Sequence, residues 1–186
     1  MHEIIPAILP HTQEELEKNL GELPPSITLF HMDVLEEDIW TDKNTRDFEV
    51  HLMVENPDAI MARWVERGAK RVSIHKPSAE LAKYRDKAEI GYAVEIDRPL
   101  EEFLPFFDFV DFIHLMSIDD IGKQGEPLDE KIFDRIKLLQ EKYPDKPIAV
   151  DGGVDVNNYQ KLLELGADRL VVGSHFKELW NSLTKE

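Results

Sequence analysis

Short apolar runs of strand-like composition alternate along this chain with stretches whose apolar residues recur at helical spacing. The runs predict strands at Glu3–Leu9, Ser26–Asp33, Phe48–Met53, Arg71–His75, Glu89–Val94, Phe109–Met116, Pro147–Val150 and Arg169–Val172. Helix boundary signals stand between them. Thr12-Gln13-Glu14-Glu15 has the capping-box spacing, in which a hydroxyl and a carboxylate each satisfy a free backbone N–H, and Gly21 is placed to end that helix. Asn56-Pro57 opens a second helix that closes at Gly68, Ser78 is placed to cap a third, and Asp155 opens one that closes at Gly166. Strands alternating with helices imply a parallel sheet, and eight of them favour a closed (β/α)8 barrel over an open doubly wound sheet. Gly68-Ala69-Lys70-Arg71-Val72 and Gly166-Ala167-Asp168-Arg169-Leu170 echo each other about half a barrel apart. A half-barrel repeat and the plain preference of helix-to-strand loops for glycine both account for that echo.

Length qualifies the barrel. Folds of this type usually need ~200 residues or more, and this chain has 186. The shortage falls between strands two and three, where Val34 to Asp47 is polar and acidic, carries no apolar stripe and is near the minimum for a parallel crossover. A loop or single turn is expected there in place of a full helix. No Gly-, Ser- or Pro-rich linker divides the chain, so residues 1–186 read as one domain. An apolar share of 42% is enough for one core. Lys and Arg total 22 against 38 Asp and Glu, a net charge of −16, which works against nucleic acid or an anionic membrane as partner. Without cysteine there is no disulfide, thiolate nucleophile or Cys-ligated zinc, so a metal must be held by His and carboxylate. The same absence fits a cytoplasmic location. Met1 to Pro6 lacks a basic region followed by an apolar stretch, and the longest apolar run, Phe103 to Met116, is broken by Asp108 and Asp111. Neither a signal peptide nor a membrane span is expected.

His31-Met32-Asp33 closes the second strand, and because side chains alternate, His31 and Asp33 share a face. His51 falls at the end of the third strand and Asp151 directly after the seventh. In a barrel these ends converge on the face where active sites lie. Singly, a strand-end His or Asp is ordinarily a cap or a satisfied buried polar group. Together, two imidazoles and two carboxylates suit one divalent ion: zinc, iron, manganese or cobalt. Gly152-Gly153 after strand seven and Gly173-Ser174 after strand eight occupy the loops where such barrels often hold phosphate on backbone N–H groups, although glycines also serve tight turns alone.

Ile5-Pro6-Ala7-Ile8-Leu9, His31-Met32-Asp33-Val34, Val50-His51-Leu52-Met53-Val54-Glu55-Asn56-Pro57, His114-Leu115-Met116-Ser117, Val150-Asp151-Gly152-Gly153-Val154 and Val172-Gly173-Ser174 together resemble the ribulose-phosphate 3-epimerase family. That family consists of metal-dependent (β/α)8 TIM barrels that interconvert ribulose 5-phosphate and xylulose 5-phosphate. The resemblance implies metal ligation by His31, Asp33, His51 and Asp151, proton transfer by Asp33 and Asp151, and phosphate binding at Gly152, Gly153, Gly173 and Ser174. Met53 and Met116 match the family's methionines near the reacting carbons, where ordinary core packing is the competing role. His75 and His114 read as core or rim residues, because the four-ligand set is complete without them.

The match also fails in places. Ala7 stands where the family usually has a sugar-contacting serine, and the loop after strand two is rebuilt as Leu35-Glu36-Glu37-Asp38-Ile39-Trp40. The loop after strand six keeps Gly122 and Gly125 but gains Lys123, either a phosphate partner or a solvated surface charge. Glu95 replaces the usual Asn after strand five, adding negative charge near a site meant for an anion. These departures leave open a related sugar, such as a six-carbon ketose phosphate, and a catalytically weak or silent relative that binds metal and sugar phosphate. A decarboxylase or aldolase would need a strand-end lysine, for which Lys76 is the one candidate. The expected partner is a small-molecule sugar phosphate, and a homo-oligomer is left open.

Overall fold

A computed structural model describes residues 2–35, 37–76 and 79–184. Ser78, the expected cap of the third helix, lies outside them, as does Glu36. Eight parallel strands, β1 (Glu3–Ile8), β2 (Leu29–Val34), β3 (Asp47–Leu52), β4 (Arg71–Ile74), β5 (Glu89–Val94), β6 (Phe112–Met116), β7 (Ile148–Asp151) and β8 (Arg169–Val172), close in sequence order, with β8 pairing back onto β1. Helices α1 (Gln13–Glu22), α2 (Asp58–Glu66), α3 (Lys131–Lys142), α4 (Tyr159–Glu164) and α5 (Phe176–Thr184) surround them. After β4 and β5 the crossovers are 3-10 turns, Ala79–Tyr84, Leu100–Glu102 and Leu104–Phe109, another saving of length. Phe109 belongs to the last of these turns and is solvent-exposed, so β6 starts three residues later than expected.

Alternation along the strands separates two environments. Phe30, Met32, Val50, Leu52, Val72, Ile74, Ile90, Ile113, Leu115, Val150 and Leu170 face outward and form one buried core under the helices. The residues between them face the barrel axis, and many are polar: His31, Glu49, His51, Ser73, His114, Asp151 and Arg169 are all buried. Both faces are thus shielded from water, as in other parallel sheets, yet here the inner face is a charged lining. At its floor Arg71 bonds Glu3 and Glu49, and Arg169 bonds Glu89. These arginines occupy matching places in the two echoing pentapeptides, whose glycines Gly68 and Gly166 both need positive φ, +95° and +106°.

The connection from β2 to β3 contains no helix among its described residues, as its composition predicts. Trp40 fills the gap, packed on Phe48 and Trp64 at ring separations of 4.9 and 5.7 Å, with the Arg67 guanidinium over both indoles. Asp38 bonds Arg63 and Arg67 of α2. The α1 boundary corrects one expectation: Thr12 caps it, its Oγ1 accepting from the Glu15 N–H at 3.1 Å, but Gly21 lies inside the last turn. Its free C-terminal carbonyls are met from outside, by Arg46 Nη1 on Leu20 O at 2.9 Å and Nη2 on Leu23 O at 3.3 Å.

Candidate functional site

Strand register assembles the site. Pairing of β2 with β3 sets Asp33 beside His51, and pairing of β6 with β7 sets Met116 beside Asp151, with His114 one inward position below. His31, His51, His114 and Asp151 each offer a ligand atom within 4.8 Å of the others, and all four are buried. Asp33 adjoins this group, its Oδ1 being 3.4 Å from His31 Nε2 and 3.6 Å from His51 Nδ1. Asp151 Oδ2 lies 3.6 and 3.5 Å from the same two nitrogens and 3.0 Å from His114 Nε2. The structure therefore brings the four expected ligands together and adds His114. That residue sits inside the apolar run Phe112–Met116 and reads as core, because the only sign of its role is an inward facing that it shares with Met116.

Burial disfavours charge on His31, but its contacts with Asp33 and Glu49 and the nearby Asp151 outweigh this and hold its pKa well above the ordinary 6.5. His51 is raised in the same way by Asp151 and Asp33. Burial likewise opposes ionisation of Asp33 and Asp151, yet the facing imidazoles win and both carboxyls titrate below their usual range. His114 is the opposite case: desolvation dominates and depresses it to about 4, so it is neutral near pH 7. Two of the buried nitrogens, His31 Nε2 and His51 Nδ1, have no hydrogen-bond partner. Unpartnered imidazole nitrogens facing two carboxylates make a place for a cation, a proton or a metal ion, and this donor set fits a divalent metal ion.

Above the cluster lies a cleft lined by Ala7, Asp33, Met53, Met116, Asp151, Gly152, Gly153, Gly173, Ser174 and the 122–126 loop. Every expected substrate residue thus borders one cavity, with His31 and His51 beneath it. Gly152 and Gly153 have φ of +106° and +64°, and a Cβ on Gly153 would stand 2.3 Å from the Leu128 backbone nitrogen. Tight-turn geometry therefore demands both glycines, whether or not they also cradle an anion. Lys123 borders the cleft while pairing with Asp120 at 2.6 Å. Glu95 finds partners in His75 Nδ1 at 2.8 Å and Arg98 at 3.2 Å, so its charge is engaged. Lys76, two residues after β4, is exposed, donates to Glu55 O at 3.3 Å and is not among the residues lining the cleft. Among the described residues no helix is long and apolar enough to cross a membrane.

Residues 3–177 match the ribulose-phosphate 3 epimerase family. The chain is 31% identical over 137 residues to the ribulose-phosphate 3-epimerase of Aquifex aeolicus, covering 68% of this chain and 61% of that one. It is 32% identical over 142 residues to the Mycoplasma genitalium ribulose-phosphate 3-epimerase, covering 72% and 66%. With the Schizosaccharomyces pombe protein of that name it shares 24% over 194 residues, 92% of this chain and 85% of the other. The chain thus spans a little under two thirds of the first two relatives. In fold it is similar to KGPDC from Streptococcus mutans (TM-score 0.70, 13% identity, 99% of each chain). It is also similar to phosphoribosyl anthranilate isomerase from Thermus thermophilus (TM-score 0.61, 13% identity, 98% of each chain). The structural likenesses speak for the barrel alone, and the sequence match for kinship: the chain belongs to the ribulose-phosphate 3-epimerase family.

Proposed function

We propose that this chain is a metal-dependent epimerase that inverts the carbon next to the ketone of a phosphorylated ketose, with ribulose 5-phosphate and xylulose 5-phosphate as the pair. The observation that carries this reading is the two buried, unpartnered nitrogens of His31 and His51 facing Asp33 and Asp151 at the base of the cleft. His31, His51, Asp33 and Asp151 would hold one divalent ion, which when bound supplies positive charge to the developing oxyanion. His114 Nε2 already has the Asp151 carboxylate as partner, so it serves as a donor steadying that carboxylate. Asp33 on β2 and Asp151 on β7 reach the cleft from separate strands, which suits removal of a proton from one face of a planar enediolate and return to the other. Met53 and Met116 line the cleft as soft apolar walls that keep water from the reacting carbon. The 152–153 and 173–174 turns, with Gly122 and Lys123 opposite, would receive the phosphate.

Protein loaded in turn with zinc, iron, manganese and cobalt should convert ribulose 5-phosphate to xylulose 5-phosphate. Tight metal binding without product from that sugar or a panel of ketose phosphates would favour the second reading, a silent binding relative. Two observations favour that alternative: Ala7 brings no hydroxyl to the cleft, and Lys123 is engaged by Asp120.

A further inference from the structure

In the neutral imidazoles, the form that binds a metal, the hydrogen atoms on His31 and His51 can be assigned from partners outside the cluster. A carboxylate only accepts. Glu49 Oε1 lies 2.7 Å from His31 Nδ1, so that nitrogen carries the hydrogen and Nε2 is bare. Glu49 is itself held by Arg71 Nη1 at 2.9 Å, and the same guanidinium bonds Glu3, which ties the arrangement to the barrel floor. The second chain is longer. Glu95 Oε1 lies 2.8 Å from His75 Nδ1, so His75 donates there. A neutral imidazole carries one hydrogen, so with it on Nδ1 the His75 Nε2 is left as an acceptor, and that atom lies 2.7 Å from His51 Nε2. His51 must therefore donate from Nε2, and its Nδ1 is bare. The two bare atoms deduced from these outer contacts are the two imidazole nitrogens that stand buried without a partner.

We propose that Glu49, and Glu95 acting through His75, are positioning residues that set the tautomers of His31 and His51 and so form the nitrogen edge of the metal site before an ion arrives. This rests on the metal reading given above. His31 is held by it in the Nδ1–H form, the less common one for a free imidazole. Glu95, a departure from the usual Asn of this family, thereby gains a role: its charge aims a histidine two bonds away from the cleft.

The test is long-range proton–nitrogen NMR on the full chain labelled with 15N-histidine, first metal-free at alkaline pH and then with zinc. In the unsubstituted protein His31 should carry its hydrogen on Nδ1 and His51 on Nε2. Glu95→Leu should release His51 into a mixture of tautomers and weaken zinc binding by about 10–100-fold, with the melting temperature confirming a folded chain. Glu95→Gln, whose amide oxygen still accepts, should keep the tautomer and most of the affinity. Glu49→Leu should move the His31 hydrogen to Nε2; should that variant fail to fold, because it strands Arg71, the Glu95 pair decides. A His51 hydrogen on Nδ1 in the unsubstituted protein would overturn the proposal. So would Glu95→Leu with tautomer and zinc affinity unchanged. If the tautomers are as deduced but zinc, manganese, cobalt and iron all fail to bind, the metal reading falls and the hydrogen assignment stands.

Discussion

His31 and His51 face Asp33 and Asp151 across gaps of 3.4 to 3.6 Å, and in the metal-free chain a proton on each imidazole is what fills those gaps. Both histidines are raised above the ordinary 6.5. The stability they contribute is complete below that value and is lost as pH rises through their folded-state pKa. Asp33, Asp151 and Glu49 are lowered, so their contribution is already complete well below neutrality. His75 and His114 are lowered too, and they add stability only as pH climbs towards 6.5. Above 6.5 the raised pair therefore acts alone. The metal-free protein should lose melting temperature steadily from pH 6.5 upward, and the gain on adding zinc should grow over the same range, because the ion replaces protons. A flat or rising metal-free melting temperature across that window would count against the electrostatic account of the cluster.

Among the elements, the turn after β7 and the connection after β2 do the most with the fewest residues. Gly153→Ala places a side chain at φ +64° and within 2.3 Å of the Leu128 backbone. It should destabilise the chain by more than about 1 kcal/mol in denaturant titration and raise KM for a phosphorylated ketose. An unchanged KM would separate the turn from phosphate binding. Trp40 stands in for an absent helix, half-buried between Phe48, Trp64 and Arg67. Trp40→Ala should cost roughly 2 kcal/mol, about half the loss at a fully buried tryptophan. A change near zero would mean that the Asp38 bonds to α2 hold the connection without the indole.

At the scale of the whole molecule, the barrel was legible because the strands carry apolar residues in short runs or at alternate positions between turn or cap residues, and eight such segments leave few topologies. The convergence of His31, Asp33, His51 and Asp151 was legible because barrel strands end on one face, so position along a strand translates directly into position at the cluster. His114 was not, since its neighbours Ile113 and Leu115 make the strand read as core and only the curvature of the closed sheet turns it onto His31 and His51. Glu49, Glu95 and Arg46 act through partners 18 or more residues away, a kind of contact that local pattern does not carry. The shortened stretch from Val34 to Asp47 was located correctly, but its tryptophan plug depends on a surface that α2 supplies. With a net charge of −16, the molecule would repel the phosphorylated substrate proposed above at long range, and the local site would have to overcome that field. The most direct measurement follows ribulose 5-phosphate by proton NMR in heavy water with the metal-loaded protein. Loss of the C3 proton signal together with appearance of xylulose 5-phosphate is the expected result, each slowed by at least about 100-fold in Asp33→Asn and Asp151→Asn. Bound metal with neither exchange nor product would contradict the account.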